Sequence, residues 1–231
     1  MGYGATKNWF GITGTGINLN TSSNPRSYNV DAAVQDSKGD FACRTKADTE
    51  NQYTCAYRIT GGGDTNNLRE LDDLAKVGEV VTYDTATKIQ ITGVDLGTDN
   101  KSYPIVTVKG VKDPAGTHTH ATFSSGVTFT AAKRAQKIGL GAITGKLTSS
   151  SLSISGSLAT AQDSLGVTVK REPEGVRAVA NNSIQICTGS VAAVADTANG
   201  WKTETPLSGD EVNTDYGTST ISAYKDLVRD T

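Results

Sequence analysis

The reading of the fold turns on Ile143-Thr-Gly-Lys-Leu-Thr-Ser-Ser-Ser-Leu-Ser-Ile-Ser-Gly-Ser-Leu158. Leu152, Ile154 and Leu158 fall on one parity, and Ser151, Ser153, Ser155 and Ser157 on the other. A period of two places apolar side chains on one face of a strand and small hydroxyls on the opposite face. The chain then turns at Asp163-Ser-Leu-Gly166 and resumes at Val167-Thr-Val169. Further on come a third apolar run, Ile184-Gln-Ile-Cys187, then Trp201, a polar turn at Ser208-Gly-Asp-Glu211 and a strand-like Thr218-Ser-Thr-Ile-Ser-Ala-Tyr224. Long strands with a small polar face suit a wall that meets a neighbour or lines a channel.

Upstream, the same alternation of short strands and turns continues. Residues 1–30 hold Gly, Asn, Ser and Thr around Trp9, Phe10, Ile12, Ile17 and Leu19, which fits either an extended arm or an N-terminal strand of the main sheet. Residues 31–60 read as a hairpin that turns at Ser37-Lys-Gly-Asp40, its second limb running from Phe41 to Ile59. Gly61-Gly-Gly-Asp-Thr-Asn-Asn67, with Gly61, Gly62 and Gly63 in succession, reads as a flexible loop. Leu68, Leu71, Leu74 and Val77 then recur every third residue before Gly78, which predicts a short amphipathic helix with a glycine stop. Strands are expected at 79–83, 88–94 and 105–111, and a second short helix or a strand at 130–137. The whole chain, 1–231, reads as one mainly β domain of the sandwich or barrel class with one or two short helices and extended loops. Within it, 1–30 is a candidate arm, 61–78 a loop with a helix, and 200–231 a closing segment.

Composition narrows the function. Only 20% of residues are charged and the net charge is −2, so nothing global attracts nucleic acid. The charge is unevenly spread: residues 61–100 carry eight acids against three bases, and residues 101–150 seven bases against one acid. Such a layout would let the acidic segment of one copy meet the basic segment of the next, or leave solvated loops of opposite sign in one molecule. Cys43, Cys55 and Cys187 are an odd number of thiols, which argues against a disulfide-stapled scaffold, although Cys43 and Cys55 are placed to pair across a hairpin. We expect all three reduced. No run of about 18 apolar residues marks a membrane span, and the first ten residues lack a signal-peptide core. A cytoplasmically made product without membrane association is expected.

The motifs that carry chemistry are sparse. Gly11-Ile-Thr-Gly-Thr-Gly16 is followed by a polar stretch rather than a helix, so a phosphate loop is not expected. His118 and His120 would share one face of a strand, a spacing a zinc or copper site uses, with Asp113 the nearest third ligand; a polar loop or exposed strand is the expected alternative. No serine sits in a nucleophile elbow, and the pairs Asp72-Asp73 and Asp210-Glu211 point in different directions on any regular element. We expect no enzyme activity and no cofactor. The aromatics form no ladder for single-stranded nucleic acid. A channel for sliding DNA would instead want small polar walls.

The layout of residues 138–230 resembles the tail tube (major tail) proteins of long-tailed bacteriophages. The resemblance implies a β-sandwich or barrel subunit that closes into hexameric rings, stacked through a loop that reaches the next ring. Gly61, Gly62 and Gly63 with Leu68, Leu71 and Leu74 would then be the loop-and-helix contact. Ser151, Ser153, Ser155 and Ser157, within the segments 143–158 and 167–177, would belong to the hairpin that joins an inner barrel, and 211–227 resembles a closing strand. It further implies a virion location, contacts with copies of itself and other virion proteins, and passing DNA held without sequence preference. A basic 101–150 segment departs from the acidic lumen such a tube wants, so it would face outward or between rings. Other structural expectations are a capsid decoration or head–tail joining protein. From another class, a carbohydrate- or receptor-binding β module would need an exposed aromatic platform.

Overall fold

The alternating pattern folds as an antiparallel β structure. The computed structural model describes residues 7–25, 34–35, 38, 41–43, 52–62, 64–83, 87–113, 120–162, 164, 168–186, 193–203 and 217–230. The strands are β1 (Ile17–Ser23), β2 (Val34–Gln35), β3 (Phe41–Cys43), β4 (Gln52–Ile59), β5 (Leu68–Glu70), β6 (Val80–Tyr83), β7 (Thr87–Asp99) and β8 (Ile105–Lys112). They continue with β9 (Thr128–Thr130), β10 (Leu140–Ile143), β11 (Lys146–Gln162), β12 (Thr168–Ile186), β13 (Ala193–Ala195), β14 (Lys202–Thr203) and β15 (Gly217–Asp226). A 3-10 turn spans Thr197–Asn199. Nine strands form one sheet in the order β1-β4-β8-β7-β11-β12-β15-β14, with β6 beside the first part of β7. Three two-stranded pieces, β2-β3, β5-β9 and β10-β13, lie outside it, and no sheet is closed among the described residues.

Parity sorts the large sheet. Tyr57 and Ile59 on β4, Val106 and Val108 on β8, Val94 and Leu96 on β7, Leu152 and Ile154 on β11, and Ala178 and Ala180 on β12 are all buried. They form one cluster with Leu71, Leu74 and Val77, with Phe123, Phe129, Ile138 and Leu140, and with Trp201. Each fully buried Val, Leu, Ile or Phe contributes roughly 1.5–3 kcal/mol, so this face drives folding. Polar ties hold the covering segments down. Asp72 accepts from the Ser125 N–H (3.0 Å), the Ser125 hydroxyl (2.6 Å) and the Gly126 N–H (2.9 Å). The buried Asn182 amide serves both backbone groups of Ile138, at 3.1 and 2.9 Å.

Several expectations are met and several are corrected. The hairpin of β11 and β12 forms, and the two runs read separately around Val169 and Ile184 are one 19-residue strand. β1 pairs with β4, so this part of residues 1–30 is a strand of the main sheet rather than an arm. The expected hairpin limb from Phe41 to Ile59 divides: β3 pairs with β2, while β4 belongs to the large sheet. The helix expected over 68–77 is absent. Leu68–Glu70 is strand paired with β9, and residues 71–74 make a single turn closed by the Leu74 and Ala75 N–H groups on the Leu71 carbonyl. The three-residue spacing is real in burial, since Leu71, Leu74 and Val77 are all in the core, but one turn suffices to place them. Neither the second short helix nor the strand expected over 130–137 forms: β9 ends at Thr130 and residues 131–134 are bends. Cys55 is a free, buried thiol, so it makes no disulfide with Cys43.

Candidate functional site

The outer parity of the large sheet builds a continuous surface. Register lines its residues in rows across the strands. One row runs Asn18, Arg58, Ile105, Gly97, Ser151, Asn181 and Ser222 from β1 to β15. The next runs Thr21, Ala56, Thr107, Asp95, Ser153, Val179 and Tyr224. Ser151, Ser153, Ser155 and Ser157 are all exposed on it, as the alternation predicted. At Gly97 a Cβ would meet nothing within 4 Å, so the glycine there leaves a shallow trough rather than relieving a clash. A separate cleft of about 420 Å³ lies where β11 parts from β7, lined by Tyr53, Gly93, Lys109, Ser155 and Leu158 among others.

Few charges stand on this face, and the central ones are paired. Asp95 takes Lys109 Nζ at 2.5 Å and the Ser153 hydroxyl at 2.6 Å. Arg177 bonds Asp226 at 2.7 Å and stacks 4.7 Å from the centre of the Tyr224 ring, which Lys202 approaches from 5.9 Å. Trp201 is 4% exposed and therefore offers no platform to a sugar. Where the β11–β12 ribbon leaves β7 it bends. A bulge falls between Ser155 and Ser157, a Cβ on Gly156 would lie 2.7 Å from the Glu174 carbonyl oxygen, and Gly175 sits at φ +57°. Beyond the bend Arg171 donates to the Lys112 carbonyl at 3.0 Å, and Gln90 donates to the Arg171 carbonyl at 3.3 Å. The ribbon is thereby fastened over the ends of β7 and β8.

The remaining candidate residues are dispersed. Leu71 and Leu74 lie in the chain's own core, and Leu68 is 43% exposed. The glycine loop is closely packed rather than loose: a Cβ on Gly16 would lie 2.3 Å from the Gly61 nitrogen, and one on Gly62 2.3 Å from Asn67 backbone carbon. Asp64 accepts from the Asn66 and Leu68 N–H groups at 2.9 and 2.7 Å, and Asn67 adopts φ +57°. Gly63 lies outside the described residues, as do His118 and Cys187. His120 is buried rather than exposed. Its Nε2 is 3.4 Å from Asp113 and its Nδ1 3.8 Å from Glu172, which also meets Lys170 at 3.2 Å and Arg229 at 3.8 Å. Burial pushes the Glu172 carboxyl up, but the Ala121 N–H and Lys170 more than offset it and hold it below the usual glutamate range. Among the described residues no group of three His, Cys, Asp or Glu is arranged to hold a metal ion.

The sequence offered Asp113 only as a third metal ligand beside His118 and His120; the structure sets it against His120, where Glu172 arrives from a distant strand with no local signal. None of the described helices is long and apolar enough to cross a membrane. Comparison of the sequence with protein-family models and with curated proteins finds no match. Fold and surface define a mainly β, antiparallel protein with one core-bearing face and one open face.

Proposed function

We propose that this chain is a structural subunit that assembles with copies of itself, in the manner of the phage tail tube proteins it resembles: rings stacked into a tube that conducts DNA within a virion, alongside other virion proteins. The observation that carries this reading is the unclosed nine-stranded sheet, which turns an exposed, serine- and glycine-lined face outward from its core. An open antiparallel edge pairs readily with another strand, and native proteins blunt such edges with charge or proline. β1 carries neither in Ile-Asn-Leu-Asn-Thr-Ser-Ser. Pairing that repeats head to tail closes into rings or extends into filaments. Small hydroxyls on a wall would let a phosphate backbone slide without holding it.

Electron microscopy of the purified chain at rising concentration, with light scattering beside it, tests the reading. Rings or tubes with a central hole are expected. A monomer at every concentration overturns it.

A further inference from the structure

Five of the seven bases in residues 101–150 belong to one end of the sheet, while Lys109 pairs with Asp95 and Lys112 ends β8. Three stretches meet at the end of the sheet where β7, β8 and β11 turn: residues 98–104, 130–139 and 144–147. Asn100 joins them, accepting from the Ala135 N–H at 2.9 Å and donating to the Leu147 carbonyl at 2.9 Å. Thr98 adds a bond from the Gln136 N–H at 3.1 Å and a hydroxyl contact with Ser150 at 2.8 Å. This frame presents Lys101, Lys133, Arg134, Lys137 and Lys146, all exposed. Lys133 lies 5.1 Å from the centre of the Tyr103 ring, and Arg134 donates to the Thr130 hydroxyl at 3.2 Å. None of the five pairs with a carboxylate among the described residues, whereas Lys76, Lys109, Lys170, Arg177 and Arg229 all do. The one acid in these stretches, Asp99, accepts from the Lys101 and Ser102 N–H groups and the Ser102 hydroxyl, and Lys101 helps hold its carboxyl below the usual aspartate range.

The opposite charge stands on the segment 64–79. It carries Asp64, Glu70, Asp72, Asp73 and Glu79 against two bases. Both bases are engaged within the chain: Arg69 donates to the Thr15 and Gly61 carbonyls, and Lys76 pairs with Asp230. Asp64, Glu70 and Asp73 are exposed. The two charges adjoin within one molecule, since β5 pairs with β9 and the Ala131 N–H bonds the Asn67 carbonyl, yet among the described residues no ion pair joins them, so both are left for a second copy to complement.

We propose that the Lys101–Lys133–Arg134 end of one copy docks on the Glu70–Asp73 flank of the next. This rests on the self-assembly reading and names the contact that orders it. Charge reversal tests it, with thermal melts confirming that each variant folds. Variant one is Lys101→Glu, Lys133→Glu, Arg134→Glu; variant two is Glu70→Lys, Asp73→Lys. Each alone should need at least about tenfold more protein to assemble than the parent chain, and an equimolar mixture should assemble again, because each new patch then meets its complement. Assembly of the parent should weaken as NaCl rises, since exposed charges are screened beyond about 10 Å at 0.1 M. Normal assembly of both variants, or indifference to NaCl, overturns the contact and leaves the self-assembly reading standing. Failure of the parent itself to assemble overturns that reading. Loss in variant one with variant two unaffected, together with retention of the parent on a heparin column, overturns the second copy as occupant in favour of a polyanion.

Discussion

Two glycines show how differently one residue type is used. At Gly78 the backbone has φ +91°, and a Cβ would lie 1.8 Å from the Ala121 carbonyl oxygen. Left-handed strain and overpacking against rigid backbone add, so Gly78→Ala should destabilise by about 3 kcal/mol, read by urea unfolding. Gly97 has open space where its Cβ would be. Gly97→Ala should change stability by less than about 0.5 kcal/mol in the same assay. Asn182→Leu should lower stability by about 2 kcal/mol, because it strands the two backbone groups of Ile138 in the core. The carboxylates set the acid limit. Burial raises the Asp230 carboxyl, but Thr122, Ser124 and Lys76 more than compensate, so its pKa lies below the usual aspartate value. Hydrogen bonds from Ser102 and the Lys101 N–H lower that of Asp99. A depressed carboxyl binds fewer protons folded than unfolded, so its stabilisation is complete above the unfolded pKa of about 4 and is lost as pH falls through the folded value. Stability measured from pH 6 downward should therefore drop below about pH 4, and Asp230→Asn should show a shallower drop.

At the scale of elements, period two was legible and period three misled. β11 announces itself because serine and aliphatic residues alternate over a span too long for chance, and the strands expected at 79–83 and 105–111 are present as β6 and β8. Leu68, Leu71, Leu74 and Val77 satisfy a helical stripe equally well as a strand end followed by one turn. Asp72 decided the matter, since its carboxylate gathers the Ser125 and Gly126 donors from a loop some fifty residues away. No local propensity reports such a partner. For the same reason the sequence exposes the serine row of the open face but hides Glu172 beside His120, which pairing of β11 with β12 brings there. Far-UV circular dichroism should accordingly show a β spectrum without the double minimum of a helix. The bend at Gly156 was invisible as well, because a glycine within a strand pattern reads only as a weak point. Gly156→Val should cost the fold at least about 2 kcal/mol in urea unfolding, by driving a side chain into the Glu174 carbonyl and Val176.

At the scale of the whole molecule, the division of labour between two faces governs behaviour. Residues that specify the fold lie on one parity, and residues available to a partner lie on the other. Substitutions on the open face should therefore separate assembly from stability: Ser153→Arg should leave the unfolding free energy from urea within about 0.5 kcal/mol of the parent while shifting the concentration at which scattering rises. The strand order also has a mechanical meaning. Among the described residues β1 is attached along one side only, to β4, whereas β15 is gripped by β12 and, at its far end, by β14. Loaded along its length, β1 shares the force among six residue pairs with β4. Loaded the same way, β15 shares it among ten pairs with β12. In a single molecule the β1 border is therefore the weaker of the two, until a neighbour pairs with it.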